Sequence, residues 1–346
     1  MFSLFAEKKS IRWVGRCLVF LAISVILQTC GGDSSRSETE NSGTIERVVP
    51  EFDLLVPTDA IIEKLAGGFA FTEGPVWDRR NNELYFSDLS SNAIHTWSDA
   101  EGLQTFLQPV FEGDVEHAMV GSNGLNIDSE GRLLLMEHGN RVVSRIEANG
   151  SRTILADNFS GSRLNSPNDS VWHSNGWLYF TDPPYGMAGL EDDPMRELDF
   201  NGIFRLNPGT GEVQLLERTQ SRPNGIALSI DERTLYVANS DANNKVWYSY
   251  EVENDGQLSN QRVFFDVNDQ DATGAADGMK VDIDGNIFAT GPGGVWVFDP
   301  EGNHLGTIKP DEVPANVGWG DDGSTLYMTA RTGLYRIRLS TKGLVP

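Results

Sequence analysis

The chain has 346 residues, 36 of them Gly and 15 Pro, and a formal charge of −23 at neutral pH. That length allows two ordinary domains or one large all-β domain. The acidic balance excludes nucleic acid, and argues against electrostatic attachment to anionic lipid. No stretch after residue 50 shows a helical apolar period, so the body is expected to be all-β, built from many short strands and turns.

The first elements in chain order concern export. Lys8, Lys9, Arg12 and Arg16 precede an apolar run from Cys17 to Leu27. This is the pattern of an export signal, and the run is too short to span a bilayer comfortably. The sequence Leu27-Gln28-Thr29-Cys30 resembles a bacterial lipoprotein lipobox, in which Cys30 would be lipidated and become the mature N-terminus. Gln28 and Thr29 stand where small residues are usual, and an uncleaved N-terminal anchor is the alternative. Either way the body is expected to be exported, and on the lipobox reading it is a periplasmic or cell-surface lipoprotein that meets the membrane only through its lipid anchor. Residues 1–29 are therefore read as the signal, 30–50 as a Ser/Gly/Glu-rich flexible tether, and 51–346 as the folded domain. Cys17 and Cys30 are the two cysteines, which leaves the mature body without disulfides. Loss of residues 1–29 removes four basic residues and Glu7, so the mature charge is −26.

From residue 70 onward one pattern recurs six times. A polar residue enters an apolar strand: Glu73 in TEGPVW, Asn123 in SNGLNID, Asn168 in SPNDSVW, Asn224 in RPNGIALS, Asp277 in ADGMKVD and Asn316 in PANVGWG. Each is followed by a turn rich in Asp, Gly and Asn, and then by a second strand such as ELYFSD, WLYFTD or TLYMTA. Successive copies begin 39 to 56 residues apart. Multi-stranded units of roughly 40–50 residues are the mark of propeller blades, so six copies predict a six-bladed β-propeller. Residues 61–65 are expected to supply an outer strand to the blade that contains Asn316, closing the ring and removing an exposed edge. In such a fold the first strand of each blade lines the channel, and its leading polar residue points at the axis. Turn chemistry alone explains any one of these residues; six converging groups, two of them acidic, call for more.

Glu73 and Asp277 supply two carboxylates, and Asn168 and Asn224 two amide oxygens. Hard oxygen donors without thiols or paired imidazoles select Ca²⁺, or Mg²⁺ or Mn²⁺, over zinc. Without a metal the two carboxylates would repel, and one would tend to protonate. The sequence lacks Gly-x-Ser-x-Gly, His-Glu-x-x-His and Walker motifs, and the DQDATG segment from Asp269 fails as an EF-hand because its twelfth position is Lys280. Of the histidines, His138 ends a second strand in MEHGNRVV and is a candidate pocket residue, although a lone histidine is more often structural. Tyr185, in TDPPYG, would form a rim by the same geometry, although packing also explains it.

The motifs FTEGPVW, SNGL…EHGNR, RLNSPND, LYFTDPPYG, RPNGIALS and DGM, in this order, resemble the SMP-30/gluconolactonase/LRE-like family, in particular its bacterial gluconolactonase branch, over roughly Phe52 to Leu339. The resemblance implies a six-bladed propeller with a central divalent metal, commonly Ca²⁺, on Glu73, Asn168, Asn224 and Asp277. It implies an acid/base role for Asp277 and a pocket lined by Asn123, His138 and Asn168. The implied reaction is hydrolysis of a sugar lactone to its aldonic acid. Two other readings share the ring: an esterase acting on phosphotriesters or aryl esters, and a non-enzymatic propeller that binds a ligand. A small molecule is the expected partner and a monomer the expected state.

Overall fold

The computed structural model describes residues 40–113 and 119–346. The signal segment, Cys30, the start of the tether and His117 lie outside the described residues.

Six antiparallel blades follow one another around the ring, five of four strands and one of five. Blade 1 runs outward through Thr72–Asp78, Glu83–Asp88, Ala93–Ser98 and Gly102–Leu107. Blade 2 uses Ser122–Ile127, Leu133–Glu137, Val142–Ile146 and Arg152–Ala156. Blade 3 uses Ser170–Trp172, Leu178–Asp182, Gly202–Asn207 and Glu212–Glu217. Blade 4 uses Pro223–Leu228, Thr234–Asp241, Asn244–Val252 and Leu258–Asp266. Blade 5 begins with Met279–Val281, Ile287–Gly291, Gly294–Phe298 and His304–Pro310. Blade 6 contains Asn316–Gly320, Thr325–Ala330 and Gly333–Arg338. The inner strands touch in sequence around the ring, with blade 6 meeting blade 1. The protein is a six-bladed β-propeller, as the repeat predicts.

The turn between the first two strands of each blade needs a residue in the left-handed region, where glycine and asparagine are favoured. Asn82, Gly131, Gly176 and Gly285 fill that role in blades 1, 2, 3 and 5, with φ of 55°, 79°, 88° and 89°. The aspartates in these turns are structural. Asp128 Oδ1 accepts from Glu130 N and Arg132 N at 3.0 and 2.9 Å, and Asp282 Oδ1 does the same for Asp284 N and Asn286 N at 3.0 and 2.8 Å.

Aromatic side chains fill the wedges between blades. Trp77 stacks on Tyr327 at 5.4 Å where blade 1 meets blade 6, Trp247 meets Phe298 at 5.4 Å between blades 4 and 5, and Phe288 meets Trp319 at 5.0 Å between blades 5 and 6. Full burial of a Phe-sized side chain stabilises by about 1.5–3 kcal/mol. With no cysteine in the described residues, such packing carries the stability.

Closure follows the expectation. Ile62–Gly67 forms the outer strand of blade 6, pairing Ile62 with Ile337 and Gly67 with Gly333. The tether boundary needs correction. Gly43–Arg47 is a fifth strand on blade 5, in register from Gly43↔Pro310 to Arg47↔Gly306. Pro50–Leu54 then forms a 3₁₀ turn with Phe52 fully buried. Arg47 pins this entry by donating to Asp53 Oδ1 at 2.6 Å, Val56 O at 2.9 Å and Pro57 O at 2.8 Å. The folded unit therefore starts before residue 51. Edge pairing with His304–Pro310 orders a segment whose composition alone suggests a flexible chain.

Candidate functional site

All six repeat residues lie at the same end of their blades, within two residues of the start of the inner strand. Register shifts sit at Glu73/Val76, Ser122/Leu125 and Pro223/Ile226, beside three of them. A bulge at this point re-aims the side chain, and bulges recur beside active sites for that reason.

The residue after the ring position is Gly74, Gly124, Gly225 and Gly278 in four blades, and its missing Cβ is required. A Cβ on Gly74 would lie 2.2 Å from Asn123 O, on Gly124 2.6 Å from Asn168 O, on Gly225 2.2 Å from Asp277 O and on Gly278 2.0 Å from Asn316 Cγ. Each inner strand thus presses against the ring residue of the next blade. Second-strand hydroxyls lock the same contacts: Ser87 Oγ donates to Asn123 O at 2.8 Å, Thr181 Oγ1 to Asn224 O at 2.7 Å and Thr290 Oγ1 to Ala315 O at 2.7 Å.

Glu73, Asn123, Asn168, Asn224 and Asn316 are buried. Glu73 Oε2 accepts from Gly74 N at 3.0 Å and from Asn316 Nδ2 at 3.2 Å. Asn224 Nδ2 donates to Ser240 Oγ at 3.1 Å, and Ser240 Oγ lies 2.5 Å from Tyr185 OH. Its amide nitrogen committed, Asn224 keeps the amide oxygen for a ligand. Asp277 Oδ1 and Asn123 Oδ1 are buried with no hydrogen-bond partner. His138 is fully buried, and its Cβ would meet a Cβ on Gly186 at 2.7 Å, so it packs against the PPYG loop. Tyr185, half-buried on that loop, is pushed up to about 12 by burial, with the Asp277 charge adding to the rise.

The site holds a third acid that the repeat reading passed over. Asp169 is buried and lies within electrostatic reach of both Glu73 and Asp277. Burial pushes the Glu73 carboxyl up to about 7; Asp169 adds to the rise, while the Gly74 N–H, Asn316 and Lys280 oppose it. Asp277 is held well above the usual carboxylate range by burial, then by Glu73 and Asp169, against the Gly278 N–H and Arg331. The one available sequence signal was positional: Asp169 occupies the place that glycine holds in four other blades.

Among the described residues no group of three or more His, Cys, Asp and Glu side chains is placed to hold a metal ion. A donor set of two carboxylates and two amides does not need one. The unpartnered Asp277 oxygen tests the fit in the other direction. A buried carboxylate oxygen without a donor is strongly disfavoured, and a hard cation would satisfy it. Glu73, Asn168, Asn224 and Asp277 therefore suit a hard divalent cation.

A cavity of about 850 Å³ opens at the other end of the inner strands, lined by residues such as Trp77, Ile127, Trp172, Ile226 and Val345. None of the six ring residues contributes to its walls. Glu73 and Asp277, two carboxyls raised by burial and by neighbouring charge, lie at the ring, which makes that end the candidate site.

The SMP-30/Gluconolactonase/LRE-like region model matches residues 71–332. A gluconolactonase of Zymomonas mobilis is 34% identical over 337 residues, covering 93% of this chain and 94% of that one. A pentonolactonase of Haloferax volcanii is 28% identical, covering 75% of this chain and 81% of that protein. The solved structure of a gluconolactonase from Xanthomonas campestris superposes with a TM-score of 0.75 at 28% identity, covering 85% of this chain and 94% of that one. A match that takes in every blade's ring residue, from Glu73 to Asn316, places the chain in the SMP-30/gluconolactonase/LRE-like family.

Proposed function

We propose that this protein hydrolyses a sugar lactone of the gluconolactonase type to the aldonic acid, using a divalent cation, Ca²⁺ first, held by Glu73, Asn168, Asn224 and Asp277. The observation that carries this reading is the unpartnered Asp277 Oδ1 in a buried ring of oxygen donors. A bound cation of this kind supplies Lewis-acid polarisation of the lactone carbonyl. Asp277 takes the proton from the attacking water and passes it to the ring oxygen as the carbon–oxygen bond of the lactone breaks. In the metal-free ring, burial and the charges of Glu73 and Asp169 favour its protonated form; a bound cation would oppose that rise and keep the carboxylate ionised. Asn123, His138 and Asn168 line the pocket and orient the sugar hydroxyls. The Tyr185–Ser240–Asn224 chain holds the Asn224 amide in place.

The test is a substrate comparison between D-glucono-1,5-lactone, a five-carbon sugar lactone and an aryl ester. Turnover concentrated on the lactones is expected. Turnover confined to the ester would move the same ring to an esterase. A folded, metal-loaded protein with no turnover on any of them would leave a binding propeller.

The export reading belongs with this proposal: Cys30 anchors the protein to a bacterial membrane from the periplasmic or outer side. Cys30→Ser is expected to yield an unlipidated precursor, and normal processing of that variant would reject the anchor.

A further inference from the structure

We propose that Asp169 sets how tightly the ring holds its cation, and that it acts through Asn316 rather than as a ligand. The inference rests on the metal reading above and extends it to a residue outside the donor set.

Three observations carry it. First, Asp169 takes the position where four other blades have glycine, and it keeps its side chain buried at that contact. The neighbouring blade is cut back to admit it: a Cβ on Gly124 would lie 2.9 Å from Asp169 Oδ1. Second, its two oxygens are both engaged. Ser170 N donates to Oδ1 at 2.8 Å and Asn316 Nδ2 donates to Oδ2 at 3.3 Å. The same Asn316 nitrogen donates to Glu73 Oε2 at 3.2 Å, and Val317 N fixes the other end of that amide by donating to Asn316 Oδ1 at 2.9 Å. One amide group thus ties a carboxylate of blade 3 to a metal-type carboxylate of blade 1, and Glu73 is oriented as long as Asp169 holds the amide. Third, the same carboxylate lies within electrostatic reach of both Glu73 and Asp277. Its negative charge acts on the site, adding to the attraction for a dication in a narrow, buried channel.

Partners that orient metal ligands typically change affinity 10- to 100-fold when removed. Calorimetric titration of the metal-free full chain with Ca²⁺ is the test. Asp169→Asn keeps the shape but removes the charge and turns a donor towards Asn316. A loss of affinity of about 10- to 100-fold is expected, with the metal-free melting temperature at or above wild type because a repelling carboxylate is gone. Asn316→Ala breaks the bridge without touching either acid and is expected to weaken Ca²⁺ binding in the same range. The double variant is expected to lose less than the two single losses combined, because both act on one connection. Wild-type affinity in Asp169→Asn would overturn the inference and leave the metal site standing. Should that variant not fold, wild-type affinity in Asn316→Ala would overturn it instead. A wild-type protein that binds no divalent cation would overturn the metal reading and this inference together.

Discussion

The two ends of the channel carry charge in opposite ways. At the cavity end Arg132, Arg145 and His173 each face an acid. Arg132 meets Asp128 at 2.7 Å and Glu130 at 2.8 Å, Arg145 meets Glu147 at 2.7 Å, and His173 Nδ1 lies 3.1 Å from Glu232. Partly exposed pairs of this sort contribute about 0–1 kcal/mol each. At the ring end Glu73, Asp169 and Asp277 are three acids in mutual repulsion, and an oxygen of Asp277 has no donor. Burying such groups opposes folding by several kcal/mol unless something compensates. Aromatic wedges between blades provide the surplus that tolerates it, and a cation would remove the penalty. The contrast favours the ring end as the candidate site, since the 850 Å³ cavity lies at the end where Arg132, Arg145 and His173 already face acids.

The largest expected effect breaks the ring end. Asp277→Asn is expected to lower lactone turnover by about 10²–10⁴-fold, the usual contribution of a positioned acid/base group, while melting temperature holds or rises. Proton release from D-glucono-1,5-lactone, corrected for spontaneous hydrolysis, measures it, and wild-type turnover would remove Asp277 from the reaction.

The next effect concerns a buried acid just outside the ring. Asp182 ends the second strand of blade 3, fully buried, and burial raises its carboxyl from 3.8 to about 7 against the Asn165 and Ser166 N–H groups and the charges of Arg141 and Arg196. The folded state then binds the proton more tightly than the unfolded state, so stability is greatest below the unfolded value and falls as pH rises from about 4 to 7. The drop amounts to at most about 4 kcal/mol. Denaturant melts across that window should show the fall, and Asp182→Asn should make it shallower, with Glu73 and Asp277 supplying the remainder; a pH profile of Asp182→Asn identical to wild type would contradict the assignment.

The smallest effect sharpens the other side. Arg132→Ala at the cavity end is expected to reduce stability by about 1 kcal/mol and to leave lactone turnover within about twofold, an outcome the half-exposed, multiply paired geometry dictates. A large loss of turnover would mean that the cavity end takes part in the reaction.

The blade count, the ring and its closure through Ile62–Gly67 were legible because each rests on a repeated local pattern, in which a turn residue, an apolar strand and a left-handed glycine recur together. Gly43–Arg47 was not, since an edge strand has one polar face, and only Ile45 among its residues packs partly against the core. Its order comes from pairing with residues some 260 positions away, which no local composition can announce. Asp169 was hidden differently. Beside Asn168 it looks like turn chemistry, and its meaning appears only when blade 6 brings Asn316 against it across 147 residues. Similarly, Tyr185 looked like a rim residue, and the structure ties it through Ser240 to Asn224.

The most direct measurement is turnover of D-glucono-1,5-lactone by the full chain, freed of metal with a chelator and then given Ca²⁺. Activity that disappears with the chelator and returns with Ca²⁺ is the expected result. Undiminished turnover in a protein shown to be metal-free would contradict the claim that the Glu73, Asn168, Asn224 and Asp277 ring works by holding a cation.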